Sequence, residues 1–153
     1  MMHPEERLAE LGLELPVPTP PVAAYVPTVR TGNLVFVSGQ GPVRDGKFAY
    51  TGKVGSDIDI EQAKEAARLT CLCGLAALKA EIGDLAKVVR VVKLTVFVNG
   101  APGFDQQPAV ANGASELLQE VFGDAGKHAR SAVGMGELPF GMPVEIEFVF
   151  EVR

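Results

Sequence analysis

Apolar residues recur at helical spacing in the middle of the chain, and this pattern predicts its longest helix. Small residues line one face of the stretch, Asp59 can cap its start and Gly83 can end it. A face of small residues lets a helix lie close to a sheet, so we interpret it as a packing surface. Shorter helices are predicted on either side. The predicted helices are His3–Leu13, Asp59–Ile82 and Gln107–Phe122.

Alternating apolar and polar residues predict strands between and around these helices. Val144, Ile146 and Phe148 alternate with glutamates, which is typical of a strand with one buried face. Thr31-Gly32-Asn33 and Asp45-Gly46 have the composition of hairpin turns. The predicted strands are Ala23–Arg30, Leu34–Ser38, Lys87–Asn99, Ala129–Met135 and Val144–Val152.

The order strands, helix, strand, helix, strands predicts an α+β architecture, with one mixed sheet and two helices packed on one face. Apolar side chains on the other face would have nothing in a single chain to cover them, which predicts an oligomer. These side chains are Val91, Phe97, Val133 and Val149. A proline-rich segment at 16–21 can be neither helix nor central strand. We therefore divide the chain into an N-terminal helix and tether at 1–22 and one domain at 23–153.

Composition and charge narrow the classes of function. The 153 residues fit one domain, and a net charge of -5 without a Lys/Arg cluster argues against nucleic-acid binding. No apolar run reaches the roughly 18 residues of a membrane-spanning helix, and the acidic N-terminus is unlike a signal peptide, so we expect a cytoplasmic protein. Cys71 and Cys73 would point about 200° apart on a helix, so we interpret both as reduced core residues and expect no metal site.

Two charged residues in the last quarter of the chain are the first candidates for chemistry. Arg130 shares its strand face only with the small residues Ala132 and Gly134, which leaves room for a ligand carboxylate. A surface or interface salt bridge is the alternative. Glu145 could orient or deprotonate a water, unless it belongs to a solvated edge of glutamates. If the two strands pair as neighbours, the guanidinium and the carboxylate meet at one pocket.

Other polar residues are more often structural than functional when each is taken singly. Ser38-Gly39 ends the second predicted strand, Tyr25 lies in the first, and Asn112 lies at the start of the third predicted helix. A serine hydrolase is disfavoured, because there is no Gly-x-Ser-x-Gly elbow and neither histidine has an acidic partner near it in the sequence. The Gly-Gln-Gly at 39–41 is too short for a phosphate loop.

Four motifs follow one another in the chain. They are Gly32-Asn33-Leu34-Val35-Phe36-Val37-Ser38-Gly39-Gln40, Lys93-Leu94-Thr95-Val96-Phe97-Val98, Ala129-Arg130-Ser131, and Leu138-Pro139 through Val144-Glu145-Ile146-Glu147. Together they resemble the RidA/YjgF family, whose members are also labelled endoribonuclease L-PSP. The resemblance covers roughly residues 23–152.

The resemblance implies a chorismate-mutase-like α+β fold assembled as a homotrimer, with three clefts between subunits. In members that deaminate enamines or imines, the matching arginine binds the substrate carboxylate and the matching glutamate positions the attacking water. These roles fall to Arg130 and Glu145. The residues implied beside the ligand are Tyr25, Ser38, Gly39, Asn112, Ser131 and Ala132.

The chain also departs from the pattern of many deaminase members. Those members have a cysteine two residues after the arginine and an acidic residue two further on, where this chain has Ala132 and Gly134. The Gly-Pro that usually precedes the tyrosine is Ala23-Ala24. The N-terminal helix and tether are additions to the compact family pattern. These differences mark a divergent branch.

Three hypotheses follow for the function. The first is a trimeric hydrolytic deaminase that converts a small 2-imino or enamine acid to a keto acid and ammonia, without cofactor or metal. The second is a non-catalytic trimer that binds a small carboxylate or acts as a chaperone-like partner. The third, RNA cleavage, rests only on a family label and is disfavoured by the net charge of -5.

Overall fold

The computed structural model describes residues 2–18, 20 and 23–153. Within them, three helices and seven strands confirm the predicted α+β class with a mixed sheet. The helices are α1 Pro4–Glu10, α2 Ile60–Ile82 and α3 Gln107–Phe122. The strands are β1 Thr28–Thr31, β2 Leu34–Gln40, β3 Val43–Arg44, β4 Lys47–Phe48, β5 Val88–Asn99, β6 Ala129–Met135 and β7 Val144–Val152. Thr19, Pro21 and Val22 of the predicted tether lie outside the described residues.

Five strands form the main sheet in the order β1-β2-β7-β5-β6. β5 and β6 run parallel, joined by the crossover through α3, and the other pairs are antiparallel. β5 lies between β6 and β7, so the strands that carry Arg130 and Glu145 are not neighbours, and the condition under which the two side chains would meet at one pocket of a single chain is not met. β3 and β4 form a separate hairpin, whose tip at Asp45 and Gly46 has the left-handed backbone expected of a two-residue turn.

The helix α2 begins and ends where the sequence predicts. The Asp59 carboxylate accepts a hydrogen bond from the Gln62 amide, and the Gln62 side chain accepts one from the Asp59 amide, which completes a capping box. At Gly74 the helix lies so close to β7 that an added Cβ would stand 2.4 Å from the Phe148 ring. The small-residue face is thus a packing face, and it holds α2 against the sheet beside α3.

The first predicted strand is shorter than expected. β1 begins at Thr28, directly after Pro27, because proline has no N–H to donate to the strand ladder. Tyr25 therefore lies in an irregular segment before the sheet rather than in a strand. β2 extends beyond Ser38 to Gln40, so Ser38 and Gly39 lie within its last residues.

The face of the sheet opposite α2 and α3 keeps apolar side chains exposed, as predicted for Val133. Val29, Phe36 and Met135 are also exposed there. Val91 is an exception to the prediction, since it is fully buried. The pairing of β5 with β7 shifts between Val91 and Lys93, and this irregularity turns Val91 towards the core.

The N-terminal helix is attached to the domain by both apolar and polar contacts. Leu8 belongs to the hydrophobic core, and the Arg7 Nε donates to the Glu120 carbonyl at 2.9 Å. His3 Nε2 lies 2.8 Å from the Asp84 carboxylate, so this histidine does have an acidic partner, distant in the sequence. In the described part of the chain, no helix is both long and apolar enough to cross a membrane.

Candidate functional site

The predicted site residue Glu145 lines a cavity of about 390 Å³ at one end of β2 and β7. Four of the predicted site residues line it, together with an aromatic residue that the sequence did not single out. We call this space the glutamate cavity. These five residues are Tyr25, Ser38, Gly39, Phe140 and Glu145.

Glycine at position 39 is what allows the Glu145 carboxylate to lie where it does. A Cβ built on Gly39 would stand 1.9 Å from Glu145 Oε2, a distance that real side chains do not adopt. The ladder between β2 and β7 shifts between Val37 and Gln40, and such bulges re-aim neighbouring side chains. The bulge and Gly39 together make room for a carboxylate beside the backbone of β2.

Burial raises the pKa of the Glu145 carboxyl, and the negative charge of Glu147 raises it further. A carboxylate with a raised pKa is a better proton acceptor near neutral pH than an ordinary glutamate. Ser38 plays a different part, because its hydroxyl donates to the Pro27 carbonyl at 3.1 Å. Its proton is thus used to hold the segment that carries Tyr25.

An aromatic pair forms part of the wall of the glutamate cavity. The rings of Phe48 and Phe140 are stacked with their centroids 5.5 Å apart. Phe140 has a φ of 59° and is 71% exposed, so a strained backbone presents a large apolar side chain to solvent. The Leu138-Pro139 motif lies directly before Phe140, but nothing in the sequence indicated that Phe140 lines the site.

Arg130 lies elsewhere, where β6 faces α3. Its Nη1 donates to Asn112 Oδ1 at 2.8 Å and to Ser115 Oγ at 3.1 Å. Ser115 also contacts His128. We call these four residues the arginine cluster. Asn112 was predicted beside the ligand, whereas Ser115 and His128 were not; the spacing of Ser115, three residues after Asn112 on α3, could have indicated it.

The other predicted residues of β6 fall on two different faces. Ala132 lies on the face of Arg130 and packs against the core. Ser131 lies on the opposite face, where its Oγ accepts a hydrogen bond from Lys93 Nζ at 3.2 Å. Ser131 is therefore separated from Arg130 and Asn112 within the chain.

The glutamate cavity and the arginine cluster do not meet within one chain. Arg130 pairs with Leu94 of β5, on the face covered by α3, whereas Glu145 pairs with Phe97, on the face away from the helices. Two strand spacings and three residues along the strands put their Cα atoms about 14 Å apart. A ligand the size of an imino acid cannot touch both side chains of the same chain.

Two other features of the structure do not converge on these residues. A larger cavity of about 790 Å³ lies between the N-terminal segment and the β3–β4 hairpin, but none of the predicted site residues lines it. His3, Glu5 and Asp84 could together approach a metal ion. Each already has a partner, since His3 and Asp84 bind each other and Glu5 pairs with Lys79. We therefore place the candidate site at the glutamate cavity and the arginine cluster, where the predicted site residues lie.

A model of the YjgF/chorismate-mutase-like endoribonuclease family matches residues 5–146 of the chain. The chain belongs to the YjgF family. The match begins within α1 and includes Arg130 and Glu145 of the candidate site.

Relatives of this YjgF-family protein include proteins with and without a named activity. Protein TCP17 of Trypanosoma cruzi is 44% identical over 147 residues, covering 95% of this chain and 92% of that protein. The 2-iminobutanoate/2-iminopropanoate deaminase of Escherichia coli K12 is 30% identical over 128 residues, covering 84% of this chain and 87% of the enzyme. The crystal structure of Atu1372 from Agrobacterium tumefaciens, a protein of unknown function, is 49% identical, with a TM-score of 0.93 over 98% of this chain and 92% of that one.

Proposed function

We propose that this YjgF-family protein is a hydrolytic deaminase of small 2-imino or enamine acids, acting in clefts between the subunits of a homotrimer. The observation that carries the proposal is that Arg130 and Glu145, to which we assign the carboxylate and the water, lie on opposite faces of one sheet. Each half is incomplete for this reaction. A second copy of the chain can supply the missing half.

The proposed contact is compatible with a closed ring of copies. The arginine cluster of one copy would meet the glutamate cavity of the next, and a head-to-tail contact of this kind gives a ring when the rotation between copies closes. The exposed apolar face around Phe36, Val133 and Met135 would supply the area buried between copies. A trimer with three equivalent clefts fits both features.

In the proposed reaction, Arg130 binds the substrate carboxylate and Glu145 handles the water. Nε and Nη2 of Arg130 would donate two parallel hydrogen bonds, which fix the plane of the carboxylate. Glu145 accepts a proton as the water oxygen bonds to the imine carbon. That proton passes to the nitrogen and gives a carbinolamine. Glu145 then moves the hydroxyl proton to the nitrogen as the C–N bond breaks, so that ammonia leaves and the hydroxyl oxygen becomes the keto oxygen. The raised pKa of Glu145 suits both the acceptance and the return of this proton.

The test is the loss of turnover when Arg130 is removed. We expect Arg130→Ala to lower kcat/KM at least about 100-fold, because a charged hydrogen-bonded pair is lost. The assay follows ammonia release from an imino acid generated in situ by an amino-acid oxidase. Arg130→Lys keeps the positive charge but not the two parallel donors, so its kcat/KM should lie between those of the wild type and Arg130→Ala. Wild-type turnover in Arg130→Ala, with an unchanged oligomer, would contradict the proposal.

A non-catalytic carboxylate-binding trimer is the second candidate. It is favoured by Ala132 and Gly134, which stand where many deaminase members have a cysteine and an acidic residue. Calorimetry with 2-oxobutanoate and the ammonia assay separate the two functions, since a binder gives heat without turnover. RNA cleavage is disfavoured by the net charge of -5.

A further inference from the structure

A chain of hydrogen bonds ends on the arginine that we propose as the carboxylate anchor. His128 Nδ1 lies 2.7 Å from the Gly126 carbonyl oxygen, which can only accept, so Nδ1 carries a proton. His128 Nε2 lies 2.9 Å from Ser115 Oγ. Burial lowers the pKa of His128 and the positive charge of Arg130 lowers it further, against the opposing effect of the Gly126 hydrogen bond, so the neutral ring is favoured. Its bare Nε2 then accepts the proton of the Ser115 hydroxyl.

Because the Ser115 hydroxyl donates its proton to His128, its oxygen lone pairs are available to accept hydrogen bonds from other donors. One of them accepts from Arg130 Nη1 at 3.1 Å, and the second N–H of Nη1 goes to Asn112 at 2.8 Å. Both protons of Nη1 are therefore used. Within the described residues, the Nε and Nη2 protons of Arg130 have no hydrogen-bond partner. These are the two adjacent donors that form a fork for a carboxylate.

We propose that His128 and Ser115 are positioning residues, which hold the Nη1 end of Arg130 so that its Nε–Nη2 edge faces the substrate carboxylate. The inference rests on the proposed function, because it assumes that Arg130 is the anchor. His128 acts through Ser115: it takes the hydroxyl proton and leaves the oxygen free to receive Arg130. Without either residue the guanidinium keeps only Asn112 and can rotate about that contact.

The same geometry could be mistaken for a Ser–His nucleophile pair. Ser115 is only 7% exposed, and its oxygen already accepts from Arg130. The partner of the imidazole is a backbone carbonyl, which cannot stabilise a charged ring as a carboxylate does. A positioning role uses all of these contacts, whereas a nucleophile would have to break the one to Arg130.

The test compares binding and turnover in variants of Ser115 and His128. Ser115→Ala and His128→Asn should each raise KM for the imino acid, and Kd for 2-oxobutanoate, about five- to tenfold, the effect of one hydrogen bond to a charged group. kcat should stay within about twofold, because the Glu145 half of the site is untouched. The double variant should be no worse than either single one, since both act through one chain of contacts.

Two conservative variants supply matched controls. The amide oxygen of His128→Gln can take the place of Nε2 as the acceptor for Ser115, whereas Asn is too short, so Gln should restore most of the affinity. Ser115→Thr keeps the hydroxyl and should do the same. Thermal melting of each variant distinguishes a loss of fold from a loss of affinity.

The possible results separate this inference from the proposed function. If Arg130→Ala loses turnover while Ser115→Ala and His128→Asn match the wild type in KM and Kd, the positioning role is wrong and the anchor stands. If Arg130→Ala keeps full turnover, the proposed function is wrong, and the positioning role that rests on it is wrong as well. Covalent labelling of Ser115 by a fluorophosphonate, with kcat lost in Ser115→Ala at unchanged KM, would overturn the positioning role in favour of a nucleophile.

Discussion

Replacing Gly39 by alanine tests whether the position of the Glu145 carboxylate matters for activity. The new methyl would stand 1.9 Å from Glu145 Oε2, and side-chain Cβ atoms essentially never approach closer than 3.0 Å, so the carboxylate must move by at least about 1.1 Å. A displacement of about 1 Å at a catalytic group can cost 10²-fold in rate. We expect kcat to fall about 100-fold, or about 2.7 kcal/mol in activation free energy.

The fold should survive this substitution. The backbone of Gly39 lies outside the left-handed region, so alanine can adopt it, and the half-buried Glu145 side chain can turn towards solvent. Gly136→Ala is the matched control, because a Cβ there meets no atom within 4 Å. The assay is ammonia release under saturating imino acid, with thermal melting alongside. If Gly39→Ala lowers kcat no more than Gly136→Ala does, the Glu145 carboxylate does not do the chemistry from the position seen here.

Two further predictions follow from the same contacts. The raised pKa of Glu145 means that kcat/KM should fall on the acid side at a higher pH than for an ordinary glutamate, because the carboxylate must be ionised. Glu147→Gln removes the negative charge that helps to raise the Glu145 pKa, so the acid limb of the pH–rate profile should move to lower pH. If the limb does not move, a group other than Glu145 causes it. Gly74→Ala would drive a methyl to 2.4 Å from the fully buried Phe148 ring, and we expect a loss of about 1–3 kcal/mol in unfolding free energy, seen as a lower melting temperature. An unchanged melting temperature there would mean that α2 can move away from β7 at little cost.

Local patterns predicted α2, α3 and most of the strands well, whereas α1 ends at Glu10, three residues before the predicted end at Leu13. The capping box at Asp59 and the small face ending near Gly83 are short-range signals, and α2 begins and ends within one residue of the prediction. α3, β6 and β7 have the predicted bounds. Pro27 is a similar local signal: it marks the start of the first strand at Thr28 and leaves Tyr25 outside the sheet.

The arrangement of the site depended on contacts between distant parts of the chain. Alternation correctly placed Arg130 with Ala132 and opposite Ser131, but it could not show that β7 inserts between β2 and β5. That strand order, which no local pattern contains, is what separates Arg130 from Glu145. The Ser115–His128 contact was hidden for the same reason, because it joins α3 to the segment before β6.

Mixed oligomers of two inactive variants test the central claim most directly. Arg130→Ala and Glu145→Ala chains carrying different tags would be co-expressed, and oligomers containing both would be isolated with the two tags in turn. If the chain forms a trimer in which each site takes Arg130 from one copy and Glu145 from the next, every mixed oligomer contains one intact site in three, so about one third of wild-type activity should return. Mixed oligomers as inactive as their parents would contradict the shared cleft.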